Sequence, residues 1–388
     1  MRLTGTTAMG IRLPIITPGD DLVTIVAEHI LEVTKDTPLT ESDVVAVTEA
    51  LVGKAEGNII SEDDIAADVK LKFGEAEVAL VYPMFSRNRF LGILKGIAKG
   101  VKKLHVLLPF PHDEVGNPIM DISRLDEILD ALPPRMVTAD EFTAVAGEFL
   151  HPFTGIDYIK LYGDAHDNID IYLSNDPRDI LSITPYVLVG EIHNRDITKA
   201  RMDKAGAKAV YTLSDILCKS VNGSGFNTKY GVLGSNLSGE GKLKLFPNNA
   251  SGFVEKLQAM LKEKCGIAPE VMVYGDGAFK DPVCGIWELA DPVVSPGFSP
   301  RLAGRPDELK MKMVADNIGG NLSKEEMQEA ITQMIKDKAN DPGVNREGTT
   351  PRVYADLLGS LCDLVGGSGD KGTPVVLVRG YFDDYATK

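Results

Sequence analysis

DVVAVTEALVGKAEG, residues 43–57, decides the reading of this chain. Val44, Val45, Ala46 and Val47 form a continuous apolar run, and the run through Val52 reads as a buried strand bounded by polar residues. Directly behind it stand Gly53, Lys54, Ala55, Glu56 and Gly57. A plain turn could use almost any polar residues here. One lysine between glycines at the end of a rigid element can instead place a positive charge against an anion, while the glycines let backbone N–H groups converge on it. The other reading of Lys54 is a solvated loop lysine, and the two stay open at this point.

Outward from that stretch, helix and strand signals alternate. Leu22, Ile25, Val26, Ile30 and Val33 recur at helical spacing behind Asp20 and Asp21, which suit a helix N-terminus. EVALVYPMF reads as another strand, FLGILKGIAKGV as a helix, KLHVLLPF as extended and ISRLDEILDAL as a helix. DYIKLYG, IDIYLS, YVLVGEI and KAVYTL follow as short apolar runs, with DITKARMDKAG as a helix before the last. NGSGFNTKYG, residues 222–231, reads as a boundary or mobile loop. SGFVEKLQAMLKEKCG is a helix stopped by Gly266, EVMVYGDGAF a strand entering a glycine turn, and residues 305–340 are helical and charged. A helix, a glycine-rich loop and a strand close the chain. Strands interleaved with helices at this pitch predict an α/β (mixed α+β) fold.

A length of 388 residues suggests two to three domains. Lys and Arg number 41 against 56 Asp and Glu, so the net charge of −15 argues against nucleic acid and anionic membranes as partners. No apolar run is long enough for a signal peptide or a membrane span, and Cys218, Cys265, Cys284 and Cys362 stand singly. The expectation is a cytoplasmic protein with reduced thiols.

GKAEG, VYGDGAFKD and VGGSGDKGTP are the glycine-punctuated stretches that carry charge. None is a standard phosphate loop, since G-x-x-x-x-G-K-[ST] is absent and no G-x-G-x-x-G sits between strand and helix. Asp276, between Gly275 and Gly277 at a strand end, stands where carboxylates hold metals beside phosphates, or else in a simple Asp-Gly turn. In the middle region PHDEVGNP sets Asp113 and Glu114 beside His112. YGDAHDNIDIYLSNDP gathers Asp164, His166, Asp167 and Asp170, and GEIHNRD adds Glu191, His193 and Asp196. Arg87 and Arg89 in SRNRF have the forked donors that clamp carboxylate or phosphate. Each cluster also reads as a solvated polar loop. His105 reads as a packed strand histidine, and Met84 and Trp287 as core.

Taken in order, LPIITPGDDL (13–22), DVVAVTEALVGKAEG (43–57), GVLGSNLSGEGKLKLFP (231–247), VYGDGAFKDPVCGI (274–286) and YADLLGSLCDLVGGSGDKGTPVVLVRG (354–380) resemble the coenzyme F420-0:gamma-glutamyl ligase family. The resemblance covers the first and last thirds. It divides the chain into a ligase-like domain at 1–85 and 226–388, interrupted by an inserted α/β region at 86–225. It implies that GTP or ATP with a divalent metal (Mg or Mn) activates a carboxylate as an acyl phosphate, which the amine of glutamate or a similar amine attacks. It also implies a homodimer. By residue match Leu13, Pro14, Ile15, Ile16, Lys54 and Asn236 contact the nucleotide, with Gly367 and Gly369 in the C-terminal glycine loop, and Asp276 binds metal.

Two departures bear on that metal. An aspartate of the family falls on Leu233, and an acidic or amide residue of the glycine loop falls on or near Ser368. A hard cation cannot lose two such ligands without losing affinity. Arg87, Arg89, Asp113 and Glu114 are the candidates for substrate or rebuilt metal binding in the insertion. The expectations are therefore a ligase, or a divergent homologue that binds a nucleotide or anion without forming amides. A weaker third reading is a hydrolase or transferase built on the Asp and His clusters of the middle region.

Overall fold

The computed structural model describes residues 4–239, 241–280, 285, 287–288, 291–318, 322–338, 350–367 and 369–387. Its helices and mixed sheets give the α/β architecture expected. Cys218, Cys265 and Cys362 are free thiols, while Cys284 lies outside the described residues.

The valine-rich run builds the centre of a five-stranded sheet. Val44–Thr48 lies between Val375–Arg379 and Glu270–Tyr274, with Thr7–Ile11 at one edge and Gly297–Phe298 at the other. All five of its residues are buried, because helices Leu22–Val33 and Ala250–Cys265 cover one face and helix Tyr354–Val365 the other. Val44–Thr48 runs parallel to Glu270–Tyr274 and antiparallel to Val375–Arg379.

That register decides where the loops meet. Ile11 pairs with Val375, Val375 with Val47, and Thr48 with Tyr274. Residues 12–16, residues 49–55, residues 275–276 and the loop before Val375 consequently leave the sheet at one end.

A second, six-stranded sheet fills the middle of the chain. Its spatial order is Val137–Thr138, Ile169–Leu173, Lys103–Leu108, Glu77–Val81, Tyr186–Val189, Ala209–Thr212. Five of these strands are parallel, and Val137–Thr138 runs antiparallel. Numbered in chain order, the parallel strands lie 3-2-1-4-5, a doubly wound arrangement that reverses between Glu77–Val81 and Tyr186–Val189. Strand Glu77–Val81, which lies before the boundary expected at 85/86, is the middle of this sheet. A boundary at 85/86 would cut that strand from its own hydrogen-bonding partners.

Helix Arg87–Lys99 joins the parts. Its glycines recur every four residues, and they allow close packing rather than flexibility. A Cβ on Gly96 would lie 2.7 Å from Ile65 Cβ, and one on Gly100 would lie 2.7 Å from the Ala66 carbonyl. Only bare backbone lets this helix lie so close to helix Glu62–Phe73.

Three local expectations change. Residues 49–55 continue the Val44–Thr48 strand not as strand but as a seven-residue helix, Glu49–Ala55. Ala50 and Leu51 are good helix formers, and Glu49 sits in the first turn where negative charge is favoured. DYIKLYG is helix Tyr158–Gly163, capped by Asp157, whose carboxylate accepts the Lys160 N–H at 2.9 Å. Residues 222–231 form a fixed joint instead of a loose loop: Asn58 Nδ2 donates to the carbonyls of Phe226 and Phe246, and the Phe226 N–H donates to Asn58 Oδ1.

Candidate functional site

The carboxyl end of the five-stranded sheet carries a tight ionic group. Asp276 follows the Glu270–Tyr274 strand, and its backbone N–H donates to Asp291 Oδ2 at 2.7 Å. Arg89, reaching over from helix Arg87–Lys99, bridges the two carboxylates: one guanidinium nitrogen bonds Asp276 and the other bonds Asp291 at 2.6 Å. Asp291 is 3% exposed, and burial pushes its carboxyl above the usual range against the pull of Arg89. Arg89 itself is held firmly protonated by Asp291 and Asp276 despite its burial.

The glycines around Asp276 serve this packing. A Cβ on Gly275 would run into Asp291 Oδ2, and one on Gly277 would come 2.7 Å from Ser360 Cα. These glycines admit neighbouring protein groups and do not leave open room for a ligand.

Glu49 opens helix Glu49–Ala55, directly after the parallel neighbour strand and one step beyond the Thr48–Tyr274 pair. It is buried and accepts from Thr48 Oγ1 at 2.9 Å. Burial raises its carboxyl, Lys244 opposes that, and Asp276 adds to it. Lys244 is lowered by its own burial, drawn back by Glu49 and repelled by Arg89 and Lys54. Lys54 and Lys244 are thus near enough to repel one another, and a phosphate between them would relieve that repulsion.

Each residue matched by resemblance now has a place. Lys54 is half-buried in the last turn of helix Glu49–Ala55, not on a glycine loop. Gly53 is there for contact, since a Cβ would meet the Leu245 carbonyl at 2.7 Å. Glu56 accepts the backbone N–H of Asn248 at 2.7 Å and of Asn249 at 3.4 Å, so it fastens the start of helix Ala250–Cys265. Leu13 is half-buried, Pro14 exposed and Ile15 88% exposed, whereas Ile16 lies in the core. The side chain of Ile16 is consequently not offered to a ligand. Asn236 pairs in register with Lys244. Gly367, at φ +104°, donates its N–H to Tyr274 Oη at 3.1 Å, and Gly369 is exposed in the same loop.

The divalent metal implied by the resemblance does not fit these side chains. Leu233 is 1% exposed inside the apolar core, Asp276 is taken by Arg89, and Ser368 lies outside the described residues. Among the described residues no three His, Cys, Asp or Glu side chains are placed to hold an ion.

Beside this ionic group opens a cleft of about 510 Å³. Asn236, Asp276 and Trp287 line it from the later part of the chain. Residues at the carboxyl ends of the six-stranded sheet also line it: Tyr82, Met84 and Phe85 after Glu77–Val81, His112 to Val115 and Asn117 after Lys103–Leu108, and Glu191 after Tyr186–Val189, with Arg89, Phe153 and Tyr158 beside them. Tyr82 turns out of its strand at φ +51°, a conformation that costs a non-glycine residue and clusters at functional sites. Gly190 lets the two strand ends touch, since a Cβ would meet Pro83 Cα at 2.7 Å.

The candidates expected in the middle region divide. Arg89 is at the junction, but Arg87 is exposed and does not line the cleft. Asp113 lines the cleft yet spends its carboxylate on its own loop, accepting from Val115 N, Asn117 N and Asn117 Nδ2 at 2.8–3.0 Å. Glu114 accepts the N–H groups of Ile192, His193 and Asn194 at 2.7–3.1 Å, tying two loops together. Neither has a carboxylate open for a metal. Asp170 pairs with Lys103, and buried His105 lies between Glu77 and Asp170 as a packed strand histidine. Trp287 is 42% exposed on the cleft wall and not in the core, and Met84 is half-buried there.

Sequence reasoning singled out neither Glu49, Lys244 nor Asp291. The KLK alternation at 242–244 carried the signal for Lys244; Asp291 becomes visible only through the fold. No helix among the described residues is long and apolar enough to cross a membrane. A comparison with curated proteins finds no match. The sequence model of the F420-0:Gamma-glutamyl ligase family, by contrast, matches residues 10–380, spanning both sheets and the cleft between them. With the ordered segments that resemble that family gathered at one sheet end, the match has a structural counterpart: the chain belongs to the F420-0:gamma-glutamyl ligase family.

Proposed function

We propose that the protein is a nucleotide-dependent amide-forming ligase working in the cleft between the two sheet ends. What supports this, beyond family membership, is one observation: residues 12–16, helix Glu49–Ala55, Asp276 and the Gly367–Gly369 loop leave the five-stranded sheet at the same end, beside a cleft. In this reading the phosphates of GTP or ATP lie against Lys54 and Lys244. An Mg²⁺ or Mn²⁺ ion arrives on the nucleotide's own phosphates as part of the substrate.

A carboxylate oxygen of the acceptor attacks the γ-phosphorus, and the nucleoside diphosphate leaves. The nitrogen of glutamate or a similar amine then attacks the acyl carbon, loses a proton and expels phosphate. Positioning and charge compensation by fixed groups supply the catalysis. The reading takes the enzyme as a homodimer, as the resemblance implies, and as cytoplasmic, as the sequence composition suggests. Its test is nucleoside diphosphate release from GTP or ATP in the presence of carboxylate and amine pairs, with Lys54→Ala as control. Release independent of any amine, or unchanged in that variant, would remove the ligase reading.

The second reading, a homologue that binds an anion without forming amides, draws on Leu233 in the core and on the Arg89 bridge across Asp276. It predicts nucleotide binding with no diphosphate release.

A further inference from the structure

The crevice of the six-stranded sheet has a feature that the ionic group lacks. Glu191 follows Tyr186–Val189, where the strand order reverses, and such crevices are where open α/β sheets take small molecules. Its side chain lines the cleft and is 7% exposed. Thr198 and, more weakly, Arg201 favour its charged form. Its Oε2 is buried with no hydrogen-bond partner. A buried, unmet acceptor of this kind costs free energy unless something meets it.

The neighbours restrict what that something is. Asp113 and Glu114, the cleft's next carboxylates, have their oxygens filled by N–H donors of the protein. Arg89, which also lines the cleft, is neutralised by Asp276 and Asp291. Among the described lining residues Glu191 Oε2 is thus the one buried side-chain acceptor without a partner, and the lining's arginine is already paired, which disfavours an anion at this end. Tyr82, Phe85, Phe153 and Tyr158 stand in the same lining, and aromatic faces attract a cation. Burial and the nearby Glu114 charge push the Glu191 carboxyl up to about 7, and an arriving positive charge would pull it back.

We propose that this crevice binds the ammonium group of a small primary amine, seated on Glu191 Oε2 and flanked by aromatic faces. The proposal deepens the ligase reading, on which it rests only for the amine's chemical fate: it gives the attacking amine a seat at the end of the six-stranded sheet, across the cleft from the nucleotide.

The experiment is a calorimetric titration of the full chain, without nucleotide, using L-glutamate, L-lysine and putrescine, each beside its N-acetylated form. The expected result is millimolar or tighter binding of at least one free amine, no binding of its acetylated form, and a loss of about tenfold or more in Glu191→Gln. Glu191→Gln keeps the side chain's shape, and Thr198→Val gives a second, milder perturbation of the same carboxylate. Equal binding of the acetylated form, unchanged affinity in Glu191→Gln, or no binding of any of the three amines overturns the proposal. Amine binding with no response to nucleotide would sink the ligase reading alone; a nucleotide response without amine binding would sink this inference alone.

Discussion

The two sheet ends that meet at the cleft handle buried charge in opposite ways. At the five-stranded end, Asp276 and Asp291 are locked to one guanidinium, Glu49 leans on Lys244 and Thr48, and glycines bring these groups into contact. At the six-stranded end Glu114 is saturated by backbone N–H groups, while Glu191 beside it keeps an oxygen with no partner. A saturated ionic group specifies structure. An unsatisfied one stores a cost that a ligand can relieve.

The largest effect follows from breaking the saturated end. Arg89→Ala strands two carboxylates, one of them buried, and removing one partner of such a group destabilises by about 3–5 kcal/mol. Urea unfolding should report that loss. Arg89→Lys should recover only part of it, because an ammonium cannot serve both carboxylates with a planar fork. Full recovery by lysine would mean that charge alone matters there. Gly275→Ala comes next: its Cβ runs into Asp291 Oδ2, and overpacking of this kind costs about 1–3 kcal/mol. A neutral result would show that the ionic group can shift at little cost.

The crevice should respond with the opposite sign. The carboxyl of Glu191 is raised to about 7 in the fold. Its contribution is fully present below the ordinary glutamate range near 4.3 and is lost as pH rises through about 7. Glutamine does not titrate. Glu191→Gln should therefore match wild type near pH 4 and exceed it at pH 8 by about 1–2 kcal/mol, read from melts across pH. A variant less stable than wild type at pH 8 would mean that the ionised carboxylate has a partner after all. Trp287→Ala should be smallest, with a stability change within about 0.5 kcal/mol, because the ring is 42% exposed and its backbone bonds to Asn117 remain. A larger loss would make that wall part of the core.

How much of this was legible in the sequence depended on range. The valine run at 44–47, the amphipathic helix behind Asp21 and the Gly266 stop are local patterns, and they read correctly because periodicity and capping are local physics. The helix at Glu49–Ala55 was lost to the preceding strand because five buried residues masked the change of period. Asp276 was noticed for its glycines, but their purpose was not legible: they admit Asp291 and Ser360, which come from distant parts of the chain. Arg89 was singled out for its fork, and its role needed partners 187 and 202 residues away. The polar clusters of the middle region looked alike on paper. Only the fold separates Glu114, filled by three N–H groups, from Glu191, which is left short.

The most direct test of the account is a thermal melt of wild type and Lys54→Ala with GTP or ATP, each with and without Mg²⁺. At about a hundred times Kd a nucleotide stabilises by roughly 2.7 kcal/mol, which a melt resolves. The account predicts an upward shift with at least one nucleotide in wild type, and a much smaller one in the variant. No shift with either nucleotide, or the same shift in Lys54→Ala, would contradict a nucleotide seat at the end of the five-stranded sheet.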